Sequence, residues 1–227
     1  MKVLVIAPHA DDEVLGCGGT IVKHVVGGDT IRVCIVTTFY HAQSYKEKVG
    51  RRDEVTRVEN VLGVREPFYR LKFPNACLDM EPQKNLNDRL EEIISVFRPD
   101  ILYIPHGGDL HKDHRLVFEA ALVAARPATA PFIKRILSYE TLSETEWLPG
   151  KGFVPNYYID ITDFLETKLE AMKEYKSQLK DYPHPRSLER ITSLAKKRGS
   201  EAYMGAAEAF IMIREVDRGG RVWKSRK

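Results

Sequence analysis

Apolar side chains follow two rhythms along the chain. Continuous apolar runs at residues 2–8, 30–39, 68–73 and 100–105 have the length and composition of strands buried on both faces. Between them the apolar positions recur every three or four residues. Residues 13–26 have helical character. Residues 44–62 place Val49, Val55, Val58, Val61 and Leu62 among polar positions, and residues 85–97 place Leu86, Leu90, Ile93, Ile94 and Phe97 on one stripe. A fourth helix is predicted over 111–125. Gly63, Pro74, Pro99 and Pro127 sit where these elements should stop. Further on, 133–139, 156–161 and 209–214 read as strands, and 163–179 and 187–198 as helices. Residues 141–156, with Pro149, Gly150, Gly152 and Pro155, read as a loop within the domain. Strands alternating with helices imply right-handed βαβ units. The fold class predicted is a single-domain, Rossmann-like, three-layer α/β/α architecture with a mostly parallel sheet.

Composition narrows the function classes. The chain has 227 residues, 43% hydrophobic and 30% charged, which suits one large globular domain and excludes disorder and fibres. Three cysteines without CxxC spacing argue against a disulfide framework and a zinc finger, and for a reduced, cytoplasmic protein. No stretch approaches the roughly 20 apolar residues of a membrane helix, so no membrane partner is expected. The net charge is +3, and five cations (Arg218, Arg221, Lys224, Arg226, Lys227) lie in the last ten residues with no acids among them. Without those five, the first 217 residues stand at −2. The basicity is a tail and not a face that tracks phosphates, so no nucleic-acid partner is expected. The organisation predicted is a domain over 1–217 followed by a basic, flexible tail over 218–227.

The fold class also says where chemistry should sit. Open parallel sheets bind ligands at the carboxyl ends of strands where the strand order reverses. With a 3-2-1-4 order, the segments after the first and fourth strands meet. Those segments are His9-Ala10-Asp11-Asp12-Glu13 and the run from His106 to His114, the two densest groups of ligand-type side chains in the chain. Carboxylates and imidazoles crowded into one crevice repel and desolvate one another unless a cation offsets the cost. Nitrogen and oxygen donors without thiolates suit zinc, or iron(II) in a two-His-one-carboxylate triad. Taken singly these residues have plainer roles; Asp11 or Asp12 alone would be a helix N-cap. Gly16, Gly18 and Gly19 do not form a dinucleotide fingerprint, because Ile21 stands where its third glycine belongs. They read as sites of close approach between the first helix and the sheet.

The segment PHADDE followed by GCGG resembles the opening of the PIG-L/LmbE-type zinc-dependent N-deacetylases, (A/P)HPDDE…GxGG, and His111-Lys112-Asp113-His114 resembles their HxDH motif. Arg51-Arg52-Asp53-Glu54 with Leu62-Gly63-Val64 is similar to R-x-x-E…LG(V/I), and Phe73 to Leu78 to the F-P-D-G-x-L loop. Lys168, Ser177-Gln178, Arg198-Gly199 and Glu208-Ala209-Phe210 match the C-terminal K…SQ…RG…EAF segment. The resemblance implies a hydrolase that uses a metal-activated water to remove the N-acetyl group from an amino sugar or its conjugate, a non-peptide amide, releasing acetate and a free amine. It implies His9, Asp12 and His114 as ligands of one zinc ion per chain, with iron(II) or another divalent metal as substitutes. Asp11 would be the general base. His111 would protonate the leaving amine or stabilise the tetrahedral intermediate, with Asp113 setting its orientation and charge. Arg51 and Asn75 would contact substrate, and a homo-oligomer is implied. Two departures are visible. Ala10 replaces the motif proline without removing a functional group, and Asn75 replaces a loop aspartate, losing a charge while keeping an acceptor. Three other readings compete: a non-catalytic sugar- or nucleotide-binding module, a non-haem iron(II) oxygenase, and a phospho-acceptor receiver domain. The last lacks an acceptor aspartate after the third strand.

Overall fold

The computed structural model of the chain describes residues 1–38, 45–150 and 152–217, with the side chains of 45–49 and 51 outside that set. The predicted basic tail over 218–227 lies outside the described residues. The described residues form seven strands and six α-helices, alternating as far as β5: β1 (Lys2–Ala7), α1 (Asp12–Val26), β2 (Thr30–Thr38), α2 (Tyr45–Val61), β3 (Tyr69–Pro74), α3 (Gln83–Phe97), β4 (Ile101–Ile104), α4 (Lys112–Ala124), β5 (Arg135–Tyr139), β6 (Tyr157–Asp160), α5 (Leu165–Glu174), α6 (Leu188–Glu201) and β7 (Ala207–Glu215). They form one sheet in the order β3-β2-β1-β4-β5-β7-β6. The first five strands are parallel, and β7 runs antiparallel to both β5 and β6. The predicted class and the central 3-2-1-4 order are therefore both present.

The continuous apolar run of β1 is explained by its two neighbouring layers. Val3 and Val5 face a core shared with α1, α2 and α5, while Leu4 and Ile6 face a second core built on α3 and α4. A strand in that position has no solvent side, so polar alternation is lost. Among the described residues no helix is long and apolar enough to cross a membrane.

Helix α1 lies close against the sheet because it carries glycines on the inner face. A Cβ on Gly16 would come within 2.2 Å of the Tyr139 ring, and one on Gly19 within 2.8 Å of Ile161. Tyr139 cannot give way easily, since its hydroxyl donates to the Ile6 carbonyl at 2.8 Å. Gly16→Ala should cost about 1–3 kcal/mol by overpacking. At roughly 2–4 °C per kcal/mol for a chain of this size, thermal melting should fall by several degrees. An unchanged melting temperature would show that Tyr139 can move aside.

One element ends earlier than its periodicity suggests. The predicted helix over 163–179 stops at Glu174, because the next residues are held by other partners. The Tyr175 hydroxyl donates to buried Glu13, and Ser177 donates to Glu54 through its backbone N–H (2.9 Å) and its hydroxyl (2.7 Å). Tertiary hydrogen bonds here outweigh helical propensity.

Candidate metal centre and active site

The carboxyl ends of β1 and β4 are neighbours, as the strand order requires. Hydroxyls from the adjoining strands fix them. Thr37 donates to the Pro8 carbonyl at 2.8 Å, and Ser138 to the Pro105 carbonyl at 3.1 Å. On this platform His9 follows β1, Asp12 opens α1, and His114 comes from the first turn of α4.

Three donor atoms converge. His9 Nδ1 lies 3.3 Å from Asp12 Oδ2, His114 Nε2 lies 3.2 Å from the same oxygen, and the two nitrogens are 3.3 Å apart. A tetrahedral ion with bonds of about 2.0–2.1 Å sets its ligand atoms roughly 3.3 Å apart, so the triangle fits a zinc-sized cation. The outer nitrogens are also committed. His9 Nε2 meets Asp113 Oδ2 at 3.0 Å, and His114 Nδ1 meets Asp109 Oδ2 at 2.8 Å. Each carboxylate keeps the ring proton on the outer nitrogen and the lone pair on the inner one, an arrangement typical of metal-binding histidines. Asp109 is itself held by the Thr145 hydroxyl at 2.6 Å.

The electrostatics favour positive charge at the same point. Burial alone would push the Asp12 carboxyl up, but His114 and His9 outweigh it and hold Asp12 well below the carboxylate range. Burial alone would lower His114, yet Asp12 and Asp109 raise it to about 10. A cavity that pays so strongly for a proton on an imidazole also favours a metal cation.

Asp11 occupies the N-cap position of α1, but it does not cap. Its backbone has φ 123°, far from the extended geometry of a usual cap, and its side chain bonds no helix N–H. Its N–H donates to Glu13 Oε2 at 3.1 Å, and its Oδ2 accepts from Arg186 Nη1 at 3.2 Å. Asp12 instead accepts from the His9 N–H at 2.8 Å, which orients the metal-facing carboxylate. The adjacent acids therefore point in different directions. Burial first, and then the Asp12 charge, push the Asp11 carboxyl up to about 7. Burial likewise pushes Glu13 up to about 8.

His111 and Asp113 are joined through the Asp113 backbone, while the Asp113 carboxylate has its hydrogen-bond partners elsewhere. The Asp113 carboxylate accepts from His9, from the Ala76 N–H (2.8 Å) and from the Leu78 N–H (3.2 Å), and acts on His111 through its charge. His111 is held by the Asp113 backbone N–H, which donates to His111 Nδ1 at 3.1 Å. That bond puts the ring proton on Nε2. Burial, then the neighbouring His9 and His114, lower His111 to about 4.

His9, Asp11, Asp12, His111 and His114 line a cleft of about 200 Å³, together with Asn75, Ser143, Glu144, Gln178 and Arg186. Asn75, implied as a substrate contact, thus lies on the cleft wall. Arg51 lies in α2, but its side chain is outside the described residues. His106, near the other ligand-type residues in sequence, does not line the cleft and packs its ring edge-on against Phe153. Ser143 and Glu144 come from the loop after β5, and Gln178 and Arg186 from the arm between α5 and α6. No spacing in the sequence tied Arg186 to the strand ends, and Gln178 stood out only through a family motif.

The chain is similar to known proteins. Residues 4–125 match the family model PIG-L: GlcNAc-PI de-N-acetylase. The chain is 28% identical over 184 residues to an uncharacterized deacetylase, YaiS, of Escherichia coli K12, covering 77% of this chain and 90% of that protein. It is 29% identical over 192 residues to the diacetylchitobiose deacetylase of Thermococcus kodakarensis, covering 78% of this chain and 70% of that protein. The inhibitor-bound N,N'-diacetylchitobiose deacetylase of Pyrococcus horikoshii superimposes with a TM-score of 0.75 at 26% identity, over 93% of this chain and 83% of that one.

Proposed function

Since the chain belongs to the PIG-L (GlcNAc-PI de-N-acetylase) family, we propose that it is a zinc-dependent hydrolase that removes the N-acetyl group from an amino sugar or its conjugate. The products are acetate and a free amine. The observation that carries the reading is the triangle of His9 Nδ1, Asp12 Oδ2 and His114 Nε2, with buried Asp11 beside it in one cleft. Relatives named as deacetylases of diacetylchitobiose support the substrate class. The three free cysteines suit a reducing cytoplasm.

His9, Asp12 and His114 would hold the metal. A divalent cation bound there makes water a nucleophile near neutral pH and polarises an amide carbonyl. Asp11 takes the proton of the attacking water and carries it between steps; burial raises its carboxyl from the ordinary aspartate range, and a bound cation would pull it back down. As the C–N bond breaks, Asp11 returns the proton to the departing nitrogen. His111 is neutral at pH 7 and carries its proton on Nε2, so it serves as a hydrogen-bond donor to the developing oxyanion better than as an acid. Asp113 fixes His9 through its carboxylate and His111 through its backbone. Asn75 offers an acceptor and a donor to a sugar hydroxyl.

The direct test is acetate release from a panel of N-acetyl amino sugars and chitooligosaccharides, measured beside metal content. About one zinc per chain, and acetate formed in step with free amine, are expected. Stoichiometric zinc without acetate release from any member would favour the binding-module reading.

A further inference from the structure

Arg186 lies outside the stretch matched by the family model, on the arm that joins α5 to α6. We propose that Arg186 is the positioning residue for Asp11, holding one carboxylate oxygen so that the other is presented to the reacting water. The proposal rests on the reading of Asp11 as the base.

The default destination of an aspartate at a helix N-cap is the free N–H groups of the first turn, a contact worth about 1 kcal/mol. Asp11 forgoes it. Next to Asp11 stands Asp12, a second buried acid that repels it. Something must therefore hold the Asp11 side chain in the cleft, and the contact seen is Arg186 Nη1, 3.2 Å from Oδ2. With Oδ2 committed to the guanidinium, Oδ1 is the oxygen left to accept a proton.

The guanidinium is in turn held from behind. The same Nη1 donates to Gln178 Oε1 at 2.7 Å. Gln178 Nε2 donates to the Ser177 hydroxyl at 3.3 Å, and Ser177 is doubly bonded to Glu54. On its other side, the Arg186 backbone N–H donates to His184 Nδ1 at 3.0 Å, and the next residue, Ser187, caps α6. The arm thus leads from a helix on one flank of the cleft to the base through successive hydrogen bonds. Arg186 Nε is buried without a hydrogen-bond partner among the described residues. A buried unpaired donor carries a desolvation cost. The fold accepts that cost in a pose where Nη1 spans Asp11 and Gln178, as expected if that span is what the residue is for. Lysine keeps the charge but carries it as a point charge on a more flexible stem, so it places the donor less firmly.

The test compares wild type with Arg186→Ala and Arg186→Lys, all loaded with zinc. For acetate release, Arg186→Ala should lose about 10–100-fold in kcat, the scale of a base misplaced by an ångström. KM should change by less than about threefold and zinc content not at all. Millimolar guanidinium should restore part of the rate to Arg186→Ala. Arg186→Lys should fall between the two, and it replaces the alanine variant if that variant does not fold. A kcat within twofold of wild type, a change confined to KM, or zinc loss parallel to the rate loss would each overturn the proposal. Crystal structures of the zinc-loaded proteins give a readout that needs no substrate. The Asp11 carboxylate should turn from its wild-type orientation in the variant, and an unmoved carboxylate overturns the proposal. Wild type that releases no acetate from any N-acetyl sugar counts against the deacetylase reading alone, because the crystallographic comparison still decides whether Arg186 positions Asp11.

Discussion

Asp11→Asn should retain zinc and lose most of the turnover. Asparagine keeps the size of the side chain and an acceptor oxygen for Arg186, and Asp11 is not one of the three convergent donors. It cannot take a proton from water, so the loss should fall in the range of general acid–base catalysis, about 10²–10⁴-fold in kcat. The pH profile gives a second readout. Burial and the Asp12 charge raise the Asp11 carboxyl to about 7, and a base works only when deprotonated. Activity of the wild type should therefore rise with pH and level off once Asp11 has ionised. A cation held by Asp12 pulls that limb below 7, since positive charge nearby favours the carboxylate. The limb should be absent from the residual activity of Asp11→Asn. Turnover close to wild type in the variant would refute the role of Asp11 as base.

The strand order and the site location were legible because they follow from patterns that leave few alternatives. Four runs of buried strand alternating with amphipathic helices allow little besides a parallel sheet, and its switch point places the segments after β1 and β4 together. The glycines of α1 were legible for the same reason. A helix that carries Gly16 and Gly19 on one face leaves room for something large, here Tyr139 and Ile161. What the sequence did not disclose depends on side chains meeting across long separations. The resemblance implies that Asp113 sets the orientation and charge of His111, and the bond that orients the ring comes from the Asp113 backbone. In the fold the carboxylate reaches across to His9, because the first turn of α4 directs it toward β1 and the loop of Ala76 and Leu78. The early end of α5 and the placement of Gln178 and Arg186 have the same origin. The arm is shaped by Glu13 and Glu54, more than a hundred residues earlier in the chain, and no local periodicity records those partners. The motif residues Lys168 and Glu208 resolve into a support: they pair at 2.6 Å, and Glu208 accepts from the Gly19 and Thr20 N–H groups, tying α1 to β7 beneath the site.

His114→Ala should abolish stoichiometric zinc binding. The imidazole is fully buried and supplies one corner of the donor triangle, at 3.2 Å from Asp12 and 3.3 Å from His9. Removing even an outer partner of a metal ligand usually costs about 10–100-fold in affinity, so loss of the ligand itself should exceed that. The substitution has a second cost that must be separated from the first. His114 lies between Asp12 and Asp109, and without it both buried carboxylates lose a partner. Breaking such a contact from one side costs about 3–5 kcal/mol. The protein could therefore lose metal simply by unfolding. Asp109→Asn separates the two effects. It leaves His114 in place and keeps an acceptor for the Thr145 hydroxyl, but removes the charge that holds the ring proton on Nδ1. A folded Asp109→Asn variant should bind zinc about 10–100-fold more weakly in a chelator competition, and His114→Ala more weakly still. An unchanged zinc dissociation constant in a folded His114→Ala protein would remove His114 from the ligand set. The remaining pair, His9 and Asp12, would then be one donor short of the three that a catalytic zinc site requires.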